Sequence, residues 1–528
     1  MSVDAVSEAV PERSESAAGE TGAAGGDRER REVLALLASI FLVAACGLVY
    51  ELLIATVSSY QLGNSVTQFS LSVGLFVGSM GLGSWISQRI NRHLLPIFIF
   101  LELVLGAVGG LSATLLFAAY AAGWFYHPLL YGLLVLIGTL VGVELPLLVR
   151  MLNPYGQLRT IVAQALSFDY LGCLVGSLAF PLLLLPQLGL ERTAYVVGLV
   201  NVAVAAYALR EFRDRFPVRP LLAGCGAVAL VLAGGLAWAS QIHGLLERSL
   251  YQDEVIYARR SRYQAVVFTR WRDDLRLFLD GNLQFSSVDE HRYHEALVHP
   301  VMSLAASRRS VLLLGAGDGL AVREILRHEG VERITLVDLD PEMTRLGRDL
   351  PALRELNRSS LHDPRVRVVN TDAHRFLESS AELYDLIIAD LPDPNGDALA
   401  KLYSVEFYRL AHRRLARGGA FVTQSTSPFF SREAFWSIAR SMEAAGFRAL
   451  PYHAYVPSFG QWGFILGADR PLDLSRVKLP PGLRYLTPEL LPTLTVFDPE
   501  TAEVRVEPST IDHPRILRYY LDNSREWE

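Results

Sequence analysis

The chain changes its hydrophobic rhythm twice. Residues 1–32 are rich in Ala, Gly, Ser, Glu and Arg and offer nothing to a core, which predicts a disordered polar tail rather than a signal peptide. Between residues 33 and 240 apolar side chains dominate. Seven runs there, 33–57, 67–88, 94–120, 127–149, 160–186, 193–209 and 220–240, approach or exceed the ~20 residues that carry a helix across a hydrocarbon core. Small residues punctuate them, as in GLFVGSMGLGSW of the second run, and suit close helix packing in lipid. A multi-pass α-helical membrane domain is the expectation for 33–240.

After residue 250 the pattern becomes that of a soluble domain. YQAVVF (263–268) and LRLFLD (275–280) are short and β-rich, and the Gly-Asn that follows is a turn signal. With the helix predicted over 289–306, they define a small β-domain and lead-in helix at 250–300. Five further strands are predicted: SVLLLG opening 310–328, ITLVDLD (334–340), VRVVNTDA (366–373), LYDLIIAD (383–390) and GAFVTQS (419–425). Helical segments lie between them, so 301–470 reads as a Rossmann-like α/β domain with a parallel sheet. Residues 471–528 form an extension to which no role is assigned.

Charge refines the first half. If the N-terminus lies inside, Arg28, Arg30, Arg31, Arg89, Arg92, Arg150, Arg159, Arg210, Arg213, Arg215 and Arg219 lie inside, against Arg192 alone in the short outside loops. Seven crossings from that start put the second half on the opposite side. Glu51, Glu102, Glu144 and Asp169 fall within the apolar runs, where acids are costly and often functional. The three cysteines, Cys46, Cys173 and Cys225, are widely spaced in that half and suggest neither a disulfide framework nor a metal site. A net charge of −6 argues neither for nor against nucleic acid, and no nucleic-acid partner is expected.

The second half carries the chemistry. LLLGAGDG joins a strand to a helix through a glycine-rich turn, the opening of a nucleotide-binding unit. Each following strand delivers a polar residue at its carboxyl end: Asp338, Asp372, Asp390 and Gln424. An aspartate in such a place often only caps the next helix. Four in register, Asp318 included, point to a site along the edge where open α/β sheets bind ligands. In IIADLPDP (387–394) a core strand ends on Asp390, and Asp393 follows between Pro392 and Pro394, so two carboxylates sit in a stiff loop. HEALVH (294–299) has one residue too many for the zinc motif H-E-x-x-H, and no metal is expected.

The ordered set LLLGAGDG, LVDLD, TDA, ADLPDP, LYSVEFY (402–408) and QSTSP (424–428) resembles the spermidine synthases, the polyamine aminopropyltransferase family, over roughly residues 258–467. The apolar half resembles the membrane-fused members of that family. The resemblance implies transfer of an aminopropyl group from decarboxylated S-adenosylmethionine, a co-substrate, to putrescine, with no other cofactor. It implies Asp390 as general base and Asp393 as a holder of the diamine. Asp318 would favour the decarboxylated donor by repelling the carboxylate of ordinary S-adenosylmethionine. Asp338 would take the ribose hydroxyls, Asp372 and Ala373 the adenine, and Gln264 the nucleoside. Tyr293 and His294 would line the polyamine side, and the soluble half would pair as a homodimer.

Two departures stand out: Ala316 replaces the family's usual third glycine, a mild change, and Phe459 stands where many members have tyrosine. The implied localisation is the cell membrane. The donor's chemistry favours a cytoplasmic catalytic half, which the arginine distribution opposes unless one run, such as 160–186, is re-entrant. The rival readings are a methyltransferase and a membrane polyamine transporter or sensor with a binding-only domain.

Overall fold

Long apolar runs with small residues at helical spacing favour helices that pack on one another, and the first half of the chain forms such helices. The computed structural model describes residues 16–62, 65–123, 125–213, 219–251 and 253–524, and the chain divides into two compact units between Leu250 and Tyr251. The first unit contains α1 (Ser16–Leu62), α2 (Ser65–Ser87), α3 (Leu94–Ala121), α4 (Tyr126–Leu152), α5 (Leu158–Ala179), α6 (Leu185–Glu211) and α7 (Arg219–Leu250). Glycines bring the helix backbones together. A Cβ on Gly142 of α4 would stand 2.1 Å from the Met80 carbonyl oxygen of α2, and one on Gly198 of α6 would stand 2.6 Å from that of Gly106 on α3.

Two expectations change in this unit. Residues 1–15 of the expected tail lie outside the described residues, but from Ser16 the tail is the first part of α1. Its Ala, Glu and Arg are good helix formers, and extending an existing helix avoids the cost of nucleation. The runs at 160–186 and 193–209 join through a π-helical turn at Phe180–Leu184, so among the described residues six helices are long and apolar enough to cross a membrane when 158–211 counts as one. That stretch still has two parts. Gly189 breaks it at φ 74, α5 packs on α1, and α6 packs on α3 and α7.

The four acids of the apolar runs fall into two groups. Glu102 and Glu144 are fully buried, and Asn201 donates to Glu102 Oε2 at 2.9 Å while accepting from Tyr50 Oη at 3.2 Å. Glu51 and Asp169 instead both lie near the Cys173 thiol.

The second unit begins with an antiparallel meander of β1 (Glu254–Arg260), β2 (Ala265–Trp271), β3 (Asp274–Leu279) and β4 (Asn282–Ser286). There follow α8 (Glu290–Leu304), β5 (Ser310–Gly315), α9 (Leu320–Ile325), β6 (Arg333–Asp338), α10 (Pro341–Asp349), α11 (Pro351–Leu356), β7 (Val366–Asn370) and α12 (Ala373–Ser379). The chain continues through β8 (Tyr384–Asp390), α13 (Asp397–Ala400), α14 (Val405–Arg413), β9 (Leu415–Gln424), α15 (Arg432–Ala444), β10 (Arg448–Val456), β11 (Gly460–Ala468) and α16 (Arg515–Ser524).

The larger sheet has the order β10-β11-β9-β8-β5-β6-β7. The five strands from β9 to the edge strand β7 are parallel, and β11 runs antiparallel to β9 and β10. Residues alternate across β5: Val311 and Leu313 enter the core on one face, Leu312 and Leu314 that on the other. Covered on both faces, the strand is a continuous apolar run, which made it visible in the sequence.

The meander is not a separate body. Val266, Phe268 and Leu277 pack with Leu320, Met343 and Leu346 of the α/β domain. Residues 471–528 also belong to the unit. Leu486, Leu491 and Leu494 complete one core, and Ile516 and Leu517 the other.

Candidate active site

The chain crosses from β6 and β7 to β8 and β9 around β5, and that reversal opens a crevice at the carboxyl ends of the strands. Gly315 pairs with Asp390 across β5 and β8. Gly315 holds φ 81, and a Cβ there would lie 1.9 Å from the Asp390 carbonyl oxygen. Glycine is thus required for the two strand ends to meet. The next residue, Ala316, also sits in the left-handed region at φ 60. The replacement of glycine here is less mild than its size suggests, because a side chain is strained in that conformation.

Asp390 ends β8 with its carboxylate partly buried. Tyr293 Oη of α8 donates to Oδ1 at 2.5 Å, and Oδ2 takes no hydrogen bond from a described residue. Burial raises the Asp390 carboxyl above the usual range, against the opposing pull of His294 and Tyr293. Asp393 is held by three donors: Gln424 Nε2 at 3.2 Å, Thr426 Oγ1 at 3.2 Å and Tyr520 Oη at 3.1 Å. Burial still pushes it up to about 6. The intervening loop is pinned by Tyr403, whose hydroxyl donates to the Pro392 carbonyl at 2.8 Å.

The glycine turn brings in two more acids. Asp318 Oδ1 accepts from Leu320 N at 2.8 Å, and burial lifts its carboxyl to about 6, with Asp390 adding to the rise and His294 opposing it. Asp338 accepts from Gly317 N at 3.0 Å and Asp340 N at 2.8 Å, and burial carries it to about 6 as well.

His294 rests on a buried ion chain. Its Nδ1 lies 2.8 Å from Glu290 Oε2, and Arg323 donates to both oxygens of Glu290 at 3.0 and 2.9 Å. Burial alone would lower His294. Glu290, with Asp318 and Asp390 nearby, more than offsets it and raises the imidazole to about 9. An imidazolium therefore stands among the site carboxylates. His299 turns elsewhere, to His328 at 2.9 Å and Glu324 at 3.2 Å. Among the described residues no group of three or more His, Cys, Asp or Glu side chains is placed to hold a metal ion.

The structure thus gathers Tyr293, His294, Asp318, Asp390 and Asp393 around one end of the crevice, with Asp338 beneath the glycine turn. Two of the other expected residues are engaged in local structure. Asp372 caps α12 through Arg375 N at 2.9 Å and pairs with Lys401 Nζ at 2.8 Å. Burial raises its carboxyl, but those partners outweigh burial and leave it below the usual range. Gln264 donates to Asp340 Oδ2 at 3.1 Å. Ala373 is buried as the first residue of α12.

Sequence reasoning missed Glu290, Arg323, Tyr403 and Tyr520. Glu290 and Arg323 each put a charge among buried positions of a helix, which signals a buried partner without saying which one. Nothing in the sequence pointed to Tyr520.

These features define an α/β domain with a Rossmann-like glycine turn and paired carboxylates at the carboxyl edge of its sheet. A model of the spermine/spermidine synthase domain matches residues 290–474. The polyamine aminopropyltransferase of Leptospira interrogans is 42% identical over 494 residues, covering 93% of this chain and 98% of that protein. Polyamine aminopropyltransferase 1 of Streptomyces coelicolor is 44% identical over 509 residues, covering 93% and 95%. The solved spermidine synthase from Thermotoga maritima is 25% identical with a TM-score of 0.43, covering 46% of this chain and 85% of that one. The chain belongs to the polyamine aminopropyltransferase family, and it is an enzyme, an aminopropyltransferase. The methyltransferase and binding-only readings fall with that result. An alignment of 494 residues cannot fit within residues 251–528, so the Leptospira relative shares the helical unit too.

Proposed function

We propose that the enzyme transfers the aminopropyl group of decarboxylated S-adenosylmethionine to putrescine, giving spermidine and methylthioadenosine. The observation that carries this reading is the state of Asp390: raised by burial, held on one oxygen by Tyr293, and with no bond to the other from a described residue. A primary amine has a pKa near ~10 and arrives protonated, so it needs a carboxylate to hold it and take its proton. The free amine nitrogen attacks the methylene carbon bound to the sulfonium, the C–S bond breaks, and its electron pair leaves on sulfur as neutral thioether. The proton lost by nitrogen goes to Asp390.

The remaining roles are assigned by the same reading. Asp393 binds acceptor ammonium. Asp318 faces the donor's ammonium, where a carboxylate would be repelled. Asp338 takes the ribose hydroxyls, which fits its position under the glycine turn, while Asp372 and Ala373 contact adenine and Gln264 the nucleoside. Tyr293 and His294 line the polyamine side. In this reading the enzyme is a multi-pass protein of a cell membrane, supported by the length and apolar composition of its helices, with the catalytic unit on the cytoplasmic side where the donor is made and paired as a homodimer.

The test is Asp390→Asn, which keeps the shape but cannot accept a proton. Methylthioadenosine release should fall by at least ~10²-fold while donor binding, followed by calorimetry, is retained. Near-normal turnover in that variant removes Asp390 from the mechanism.

A further inference from the structure

Tyr520 reaches the site from outside the matched synthase domain, which ends at residue 474. Its helix is positioned by packing. Ile516 and Leu517 are buried in the core beside α15, and Tyr520 follows Ile516 by four residues, so the two share a face. The segment before the helix is tied to α15: Arg432 donates to the Ala502 carbonyl at 2.7 Å, Trp436 Nε1 to Thr501 at 3.1 Å and Ser437 to Glu507 at 2.8 Å. These bonds fix where α16 lies, and its buried face ends with a phenol on Asp393.

We propose that Tyr520 is a positioning residue for the acceptor: its hydroxyl orients the Asp393 carboxylate to receive an ammonium group of an aliphatic diamine. The inference rests on the aminopropyl-transfer reading for the identity of the acceptor.

The geometry divides the labour at Asp393. Gln424 donates to Oδ1, and Thr426 and Tyr520 both donate to Oδ2. Gln424 is itself committed to its own loop, since its Oε1 accepts from Thr426 N at 2.9 Å and its Nε2 lies 2.6 Å from Tyr403 Oη. Thr426 sits in the left-handed region at φ 56. Both belong to the β9 end of the sheet, whereas Tyr520 approaches on a separate helix. It thereby fixes the carboxylate plane from a direction the sheet does not supply. Phe459, also near this end, packs edge-on to Tyr293 with ring centroids 6.5 Å apart and has no hydroxyl to give. Each of the three donors also favours the charged form of Asp393 over the neutral one. Losing one should weaken the attraction for an ammonium as well as its aim.

The test uses the full-length protein in detergent, with putrescine and decarboxylated S-adenosylmethionine. Tyr520→Phe removes only the hydroxyl. KM for putrescine should rise roughly 10-fold, the scale of a lost hydrogen bond to a charged group, with the donor KM and melting temperature unchanged. A merely structural role would instead move both KM values and the melting temperature together. Tyr520→Phe combined with Asp393→Asn should bind putrescine no worse than Asp393→Asn alone, because the tyrosine acts through the aspartate. Additive losses overturn the proposal, as does an unchanged putrescine KM in a folded Tyr520→Phe protein. Calorimetric binding of putrescine reads the same shift without turnover. If wild type binds putrescine and Tyr520→Phe weakens it, yet no methylthioadenosine is released, the transfer reading fails and this one stands. Absence of putrescine binding overturns it outright.

Discussion

Replacing Gly315 by alanine should disable the enzyme without touching a proposed substrate contact. The added Cβ would stand 1.9 Å from the Asp390 carbonyl oxygen and 2.9 Å from its carbonyl carbon, where real Cβ atoms keep at least 3.0 Å. The obstruction is backbone, so no side chain can swing away. The end of β8 must retreat by ~1 Å, and a displacement of that size at a reacting group costs on the order of 10²-fold in rate. Stability falls too. Holding alanine at φ 81 costs about 1–2 kcal/mol, and overpacking adds about 1–3 kcal/mol. A loss of melting temperature on the order of 10 °C follows for a unit of this size. The assay is methylthioadenosine release at saturating donor and acceptor, run well below the melt, with circular dichroism confirming the fold. Gly317→Ala is the comparison: its Cβ would meet the Asp338 carboxylate at 2.6 Å, a side chain that can move. That variant should raise donor KM and largely keep kcat. Equal kcat losses in the two variants, or a Gly315→Ala enzyme within about threefold of wild type, would refute the argument that strand contact places the base.

Three further outcomes are expected. Asp318→Asn should weaken binding of decarboxylated donor and narrow its advantage over S-adenosylmethionine; an unchanged preference by calorimetry removes the discrimination argument. His294 has a folded pKa of about 9 against an ordinary 6.5, so its contribution is fully present below pH 6.5 and is lost as pH rises through 9. Substrate-free protein should therefore melt lower at pH 9 than at pH 6.5, and Glu290→Gln should flatten that slope; equal slopes in the two proteins count against the ion chain as its source. Ala316→Gly relieves a left-handed alanine and should raise stability by about 0.5–1 kcal/mol, read as a melting temperature ~1–3 °C higher; a lower melt contradicts the strain.

What the sequence displayed and what it concealed divide along physical lines. Four of the five parallel strands, β5, β6, β8 and β9, were visible because burial makes their central stretches near-continuous apolar runs, the half-buried edge strand β7 showed through its valines, and Asp318, Asp338 and Asp390 stood out because each follows an apolar run. Those signals are local. Glu290 and Arg323 meet across 33 residues, and Tyr520 meets Asp393 across 127, and no periodicity encodes such contacts. Capping was the weaker expectation for the aspartates, yet Asp372 does cap α12, because a carboxylate one residue before a helix is within reach of its free N–H groups. The helix from Ser16 was hidden for a different reason. Composition alone disfavours order in that segment, and helix continuity from an apolar neighbour overrides it.

The pairing of Gly315 with Asp390 has a consequence for how the enzyme is made. It closes a loop of about 75 residues, and a parallel contact of such span is entropically costly to form and comes slowly. Helices around it can condense earlier from local contacts, but none of them brings Asp390 beside the glycine turn. A chain with most of its secondary structure and an unzipped central sheet is therefore inert, with its strand edges open to other chains. Contacts of such span are expected to form after the local ones, so refolding should recover activity no earlier than the parallel sheet, with open strand edges exposed to aggregation until then.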